Sequence, residues 1–235
     1  MIKNLSKNSE FNHFTALAND WWAQNSKFKI LHQIIPIRIE YILSIINRKK
    51  LNNIKILDLG CGGGLTCEPL SRLGADVTGV DFVKKNIEIA KNHAKKSNLK
   101  IEYLHQDLEL LDINKKFKVV LVLEVLEHIA KWTRILPRIK SILKPNGYLI
   151  ISTINRTLLS KFFAIYIAEN ILQWIPKKTH AYDKLITPDE LSESLKKNNF
   201  SVIDISGMIY NPISKDWKLN KKLKMINYFC SAQLN

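Results

Sequence analysis

The chain has 235 residues, 46 % of them hydrophobic, which suits one domain with a full buried core. Its three cysteines, Cys61, Cys67 and Cys230, make no CxxC pair and no even count, so neither a disulfide framework nor a zinc site is expected, and a reducing cytoplasm fits. A formal net charge of +15 either draws an anionic partner, nucleic acid or acidic lipid, or reflects a lysine-rich background spread over the whole surface.

The amino-terminal MIKNLSKNSEFNHF lacks the apolar core of a secretory signal, and no stretch reaches the roughly 18 uncharged apolar residues of a membrane span, so no integral membrane segment is expected. Phe11 to Asn47 reads as helices, because FTALANDWW and PIRIEYILSIINR repeat apolar residues at helical spacing, and Pro36 sits where a helix can begin. These helices form an expected N-terminal cap over residues 1–50, ahead of a main domain over 51–235. IKILDLG (Ile54 to Gly60) is a strand, a helix follows Leu65, and DVTGVD is a second strand ending at Asp81. Lys84 to Lys96 is helical in pattern. KIEYLHQD and KVVLVLEVL are further strands, the second apolar throughout as suits a parallel strand covered on both faces. WTRILPRIKSIL makes a helix that leads through a turn at KPNG (Lys144 to Gly147) into the strand YLIISTIN. Arg156 to Lys184 breaks the rhythm and reads as a helical insertion. Helix TPDELSESLKKNN, strand FSVIDISGM, a loop and a last strand INYFCSAQ complete the alternation of an α/β sheet.

Four of the chain's eight glycines fall within Gly60 to Gly64, between the first strand and its helix. Bare backbone there lets a ligand approach the chain, which makes the loop, Gly60 and Gly62 included, a cradle. Asp81 follows Gly60 by 21 residues at the tip of the next strand, where an acid accepts hydrogen bonds from both hydroxyls of a ribose. A dinucleotide and S-adenosylmethionine both use such a site. The dinucleotide pattern G-x-G-x-x-G wants a glycine where this chain has Leu65, and Asp58 ahead of the loop repels a pyrophosphate but pairs with an amino group. The loop therefore matches S-adenosylmethionine and the Rossmann-like methyltransferases. Asp107, after the third strand, stands where these enzymes often contact the adenine amino group.

Beyond the loop, DWWA (Asp20 to Ala23), FKILHQIIPIR (Phe28 to Arg38), GCGGG, EVLEHI (Glu124 to Ile129), STINR (Ser152 to Arg156), IPKKTH (Ile175 to His180), ITPDEL (Ile186 to Leu191) and GMIYNP (Gly207 to Pro212) occur in order across the chain. In that order and spacing the chain resembles the bacterial and mitochondrial O-methyltransferases of ubiquinone biosynthesis. The resemblance implies an α/β, Rossmann-like fold with a seven-stranded, mostly parallel sheet, an N-terminal helical cap and a helical insertion at about 156–184. It implies methylation of 2-polyprenyl-6-hydroxyphenol and 3-demethylubiquinol, and cofactor contacts from Arg38, Gly60, Asp81 and Leu123. Arg38 suits the cofactor carboxylate, which a guanidinium binds bidentately. The family often carries Asn where this chain has Ile35, and Gly where it has Lys178.

Methyl transfer to oxygen is an in-line displacement, in which good orientation of the pair is worth roughly 7–11 kcal/mol. A phenol with a pKa of about 10 must also lose its proton. Glu124, Glu127 and His128 begin at the carboxyl end of the fourth strand, where open α/β sheets place ligands. Three roles stay open for them. They hold a magnesium ion, the role implied for the matching E-x-x-E-H residues of the family; or His128 acts as general base; or they shape the pocket floor.

The stretch Thr157 to Lys178 places Glu169, Asn170 and Gln173 in one sector of a helical wheel and leaves a wide apolar arc, with Phe163 and Trp174 on it and Lys177 and Lys178 beyond. It reads either as an interfacial helix, its lysines facing anionic lipid, or as a helix packed on the domain or on a second copy. A polyprenylated substrate favours the first, with the enzyme in the cytoplasm, peripheral to the inner face of the cytoplasmic membrane, and within reach of a complex of ubiquinone-biosynthesis enzymes. No nucleic-acid partner is expected, because no basic and aromatic interleaving accompanies the charge. A nicotinamide-dependent oxidoreductase is disfavoured by Leu65 and Asp58.

Overall fold

The computed structural model of the protein describes residues 15, 18–23, 25–26, 28–161, 184–211 and 216–235. Among these, eight strands form one sheet: β1 (Lys55–Leu59), β2 (Asp76–Asp81), β3 (Glu102–His105), β4 (Phe117–Leu123), β5 (Leu143–Ile154), β6 (Phe200–Asn211), β7 (Asp216–Asn220) and β8 (Asn227–Leu234), in the order β3-β2-β1-β4-β5-β8-β6-β7. The pairings from β3 to β5 are parallel, and those from β5 through β8 and β6 to β7 are antiparallel. Helices among the described residues include α1 (Lys29–Ile46), α2 (Cys67–Arg72), α3 (Lys84–Lys96), α4 (Leu136–Ile142) and α5 (Pro188–Lys197).

Strand alternation divides the apolar residues between two layers. Leu57 and Leu59 of β1 and Val120 and Val122 of β4 pack with Leu136 and Ile139 of α4 and with Leu191 and Leu195 of α5. On the other face, Ile56, Val119, Leu121 and Leu123 meet Ile34, Ile37, Tyr41 and Ile42 of α1, together with Leu70 of α2 and Ala90 of α3. Helix α1, within the expected cap, thus belongs to the same layer as α2 and α3. The Tyr41 ring stacks on Phe229 of β8 with centroids 4.5 Å apart.

Three elements differ from expectation. Pro36 does not begin α1 but lies inside it, since the buried stripe from Ile34 to Ile46 holds the helix together across the hydrogen bond that proline removes. The expected turn at Lys144–Gly147 is a bulge within β5: Phe117 pairs with Leu143 and Val119 with Tyr148, so five steps of β5 face two of β4. The segment expected as a loop before the last strand contains β7, an eighth strand whose Trp217 and Leu219 pair with Tyr210 and Met208 and pack towards α1. Five residues between lysines are too short to show the alternation that marks a strand.

The order β2-β1-β4 makes the gap between β1 and β4 a switch point, and the crevice beyond their carboxyl ends is where this topology places a ligand. Helix α5 starts on a capping box, with the Thr187 hydroxyl accepting from the Glu190 amide at 3.2 Å and the Glu190 carboxylate accepting from the Thr187 amide at 3.0 Å. Thr187→Ala should cost about 1 kcal/mol of stability, read as a lower urea midpoint with an unchanged slope; an unchanged midpoint would show the box to be idle.

Candidate active site

β1 leads into the loop at Gly60, whose amide donates to Val80 O at 2.7 Å and so ties the loop to β2. Gly60, Gly62 and Gly64 have φ of 77°, 53° and 87°, which side chains rarely adopt. The glycines do not leave open space. A Cβ on Gly62 or on Gly63 would come within 2.4 Å of the Trp21 indole, one on Gly60 within 2.4 Å of Val125, and one on Gly64 within 2.4 Å of the Tyr103 hydroxyl. The expectation of a bare loop is thereby corrected: these residues are small because the protein's own side chains pack against the backbone.

Asp81 ends β2 and turns towards that loop. Its Oδ2 accepts from the Gly62 amide at 2.9 Å, and its Oδ1 accepts from the Val83 amide at 2.8 Å and from the Asn86 side-chain amide at 3.3 Å. Burial raises its pKa, and these three donors oppose the rise. Oδ1 spends both of its lone pairs on these donors, while Oδ2 has one donor for two lone pairs and keeps acceptor capacity. Trp21, from the segment before α1, donates its indole N–H to Asn86 Oδ1 at 2.9 Å, and Trp22 donates to Gly63 O at 3.0 Å. Ile35 packs against the same cluster of Trp21, Phe28 and Leu65.

Buried charge lies beside the strand tips. Arg38 of α1 is 5 % exposed, and its Nη2 stands 3.5 Å from Glu124 Oε1, an ion-pair separation beyond a good hydrogen bond. Neither Nε nor Nη2 of Arg38 has a hydrogen-bond partner. Burial lowers the Arg38 pKa, and the nearby charges of Glu124 and Asp58 raise it back. Asp58, buried on β1, accepts from the Cys67 thiol at 3.2 Å, and burial pushes its pKa up to about 6 against that bond and the Arg38 charge. A buried guanidinium ion-paired to Glu124, yet with Nε and Nη2 lacking hydrogen-bond partners, matches an amino acid, which carries both charges.

Leu123 closes β4, and Glu124 follows it with φ 55°, the one residue other than Asn or Gly among the described positive-φ positions. Ser152 holds Glu124 twice: its carbonyl accepts from the Glu124 amide at 2.9 Å, and its hydroxyl donates to Oε1 at 2.8 Å. The 3-10 turn Leu126–His128 then sends successive side chains in different directions, with Glu127 buried and accepting from the Thr153 hydroxyl at 2.9 Å while His128 is exposed. Among the described residues no three His, Cys, Asp or Glu converge to hold a metal ion. The magnesium expectation for Glu124, Glu127 and His128 does not fit this donor set, because the two acids are committed to Arg38, Ser152 and Thr153, and the imidazole faces outward.

Asp107 lies beyond β3, half-buried, and caps the 3-10 turn Leu108–Leu110 by accepting from the Glu109 amide at 2.9 Å. The structure thus brings Arg38, Asp58, Gly60, Gly62, Asp81, Leu123 and Glu124 to the strand tips around the crevice. Phe163, Trp174, Lys177 and Lys178 lie outside the described residues. Sequence reasoning missed Trp21, Asn86, Ser152 and Thr153 as partners of the site residues, although DWWA and STINR had stood out as motifs.

Burial, and then the Glu124 charge, push the Glu127 pKa up from 4.5 to about 7, opposed by His128 and by Thr153. A carboxyl whose pKa is raised on folding stabilises the fold below its unfolded pKa, and that contribution is lost as pH rises through the folded value. Stability should therefore fall between pH 4.5 and about 7, with a slope of at most about 1.4 kcal/mol per pH unit from this group. Glu127→Gln should flatten that fall in thermal unfolding measured across the window; a variant with the parent's pH profile would show that Glu127 titrates normally.

A methyltransferase-domain family model matches residues 35–205. A ubiquinone biosynthesis O-methyltransferase of Pelagibacter ubique is 45 % identical over 227 residues, covering 93 % of this chain and 94 % of that one. Its namesake from Bartonella tribocorum is 43 % identical, covering 96 % and 95 %. Among solved structures, magnesium protoporphyrin IX methyltransferase from Synechocystis with bound S-adenosylhomocysteine superposes with a TM-score of 0.63 at 22 % identity, over 87 % of this chain and 83 % of that one, and so shares the fold. With a matched domain across most of its length and relatives this similar end to end, the chain belongs to the ubiquinone biosynthesis O-methyltransferase family.

Proposed function

We propose that the protein uses S-adenosylmethionine to methylate phenolic oxygens of polyprenylated ubiquinone precursors, 2-polyprenyl-6-hydroxyphenol and 3-demethylubiquinol. One observation carries this reading: a buried Arg38, whose Nε and Nη2 lack hydrogen-bond partners, stands beside Asp58 and Glu124, next to a glycine loop pinned by Asp81. The amino-acid end of the cofactor satisfies that polarity, and a pyrophosphate does not. Arg38 would take the carboxylate, Asp58 the ammonium, Asp81 the ribose hydroxyls and Asp107 the adenine amino group, with Gly60, Gly62 and Leu123 lining the cradle. An ammonium beside Asp58 would draw its raised pKa back down, so binding releases protons near pH 6.

When bound, S-adenosylmethionine supplies an electrophilic methyl group on a sulfonium. The protein's own tasks are to orient the phenol, exclude water and remove its proton. His128, exposed on the 3-10 turn that follows β4, is the proposed general base: its imidazole accepts the phenolic proton. Glu124, fixed by Ser152 and Arg38, shapes the mouth between cofactor and phenol.

A membrane surface is the proposed source of the substrate. The exposed Leu158, Leu223 and Met225 lie together, joined where Thr157 Oγ1 and Ser160 Oγ donate to Met225 O at 2.6 and 3.0 Å, and Lys161, Lys221 and Lys222 are exposed around them. Such a mixture of apolar and basic side chains suits anionic lipid, at about 1 kcal/mol per lysine. Phe163, Trp174, Lys177 and Lys178 are proposed to extend this contact. No helix among the described residues is long and apolar enough to cross a membrane.

Calorimetric titration should show binding of S-adenosylhomocysteine and none of NAD, and the enzyme should methylate a short-chain demethylubiquinol. Asp81→Ala should weaken S-adenosylhomocysteine at least tenfold; NAD binding in its place would overturn the cofactor. Separately, Leu158→Ser with Met225→Ser, and Phe163→Ser with Trp174→Ser, should each lower sedimentation with phosphatidylglycerol vesicles. Partitioning equal to the parent in both pairs would remove the membrane contact.

A further inference from the structure

Trp21, Asn86 and Asp81 form a buried chain of hydrogen bonds, at 8 %, 2 % and 5 % exposure, that no task assigned above requires. An indole N–H only donates, so the Asn86 atom 2.9 Å from it must be the amide oxygen. That fixes the orientation of the amide. Its NH2 is left facing Asp81 Oδ1 at 3.3 Å, as a donor to a carboxylate. With the amide reversed, its oxygen would face the carboxylate, two acceptors in contact, and its NH2 would face an indole that cannot accept.

The same segment grips the loop at further points. The Trp21 ring lies against Gly62 and Gly63 and stacks on Phe28 with centroids 4.0 Å apart. Trp22 bonds Gly63 O at 3.0 Å and stacks on His93 at 3.4 Å, and His93 is seated by the buried Glu68 at 2.6 Å. The segment before α1 is therefore fastened to the cradle through both tryptophans, and one of the two fastenings runs on to the acid.

We infer that Trp21 is a positioning residue for the cofactor: by setting the amide of Asn86 it holds the Asp81 carboxylate in the orientation that receives the ribose. The inference rests on the reading of Asp81 as the ribose acid. The aromatic mass of Trp21 keeps the segment on the loop, and its N–H sets the acid. Phenylalanine separates these two roles, since it keeps a ring and removes the donor.

The test is a double-mutant cycle on the full-length protein, read by calorimetric titration with S-adenosylhomocysteine and by steady-state kinetics. Trp21→Phe should weaken binding about tenfold, the loss expected for one buried hydrogen bond, and Asn86→Ala by a similar factor. The double variant should bind no more weakly than Asn86→Ala alone, because Trp21 acts only through the amide. The cofactor KM should rise in Trp21→Phe while kcat stays within twofold, and thermal unfolding confirms that each variant is folded. Parent-like affinity in Trp21→Phe, or losses that multiply in the double variant, would overturn the inference and leave the ribose reading intact. Unchanged affinity in Asp81→Ala would sink both. Should Trp21→Phe not fold, Asn86→Ser in the parent carries the test, and parent-like affinity there is equally fatal.

Discussion

A carboxylate with almost no access to water holds the site together. Asp81 collects the amide of Gly62 from one loop, the amide of Val83 from the next and the side chain of Asn86 from α3. Desolvating that charge is costly, and three donors offset the cost only while all are in place. The glycine loop cannot drift from β2 without uncovering a buried anion. The shape of the glycine loop and the seat of Trp21 are tied to keeping those donors converged.

The neighbouring charges obey the opposite rule. Arg38 lies in reach of Asp58, Glu124 and Glu127, yet its Nε and Nη2 have no hydrogen-bond partner. Burial first, and then a neighbouring carboxylate, Asp81 or Glu124, raises the pKa of Asp58 to about 6 and that of Glu127 to about 7. One half of the crevice is thus satisfied internally around Asp81, and the other is left incomplete around Arg38. At the second, a ligand's own charges complete the set.

The sequence made the local features readable. The spacing from Gly60 to Asp81 spans one loop-helix-strand unit, and the apolar run at Val119–Leu123 is what a doubly covered sheet demands. Contacts distant in sequence were not readable. Trp21 meets Asn86 across 65 residues, and Ser152 and Thr153 meet Glu124 and Glu127 across 28 and 26. EVLEH looked like three ligands in a row because a sequence does not show that Glu124 takes a left-handed backbone and that a 3-10 turn parts its neighbours. Pro36 misled for a similar reason, since the buried stripe of α1 outweighs one lost hydrogen bond.

The left-handed backbone of Glu124 sets selection for a sturdy fold against selection for turnover. Glycine would adopt φ 55° without the cost that a side chain incurs there, on the order of 1 kcal/mol. A lineage under pressure for thermal robustness alone would drift towards glycine at this position and lose its acid. Its glutamate, clamped by a serine from the adjacent strand, marks a place where this chain carries a less comfortable residue beside the strand tips.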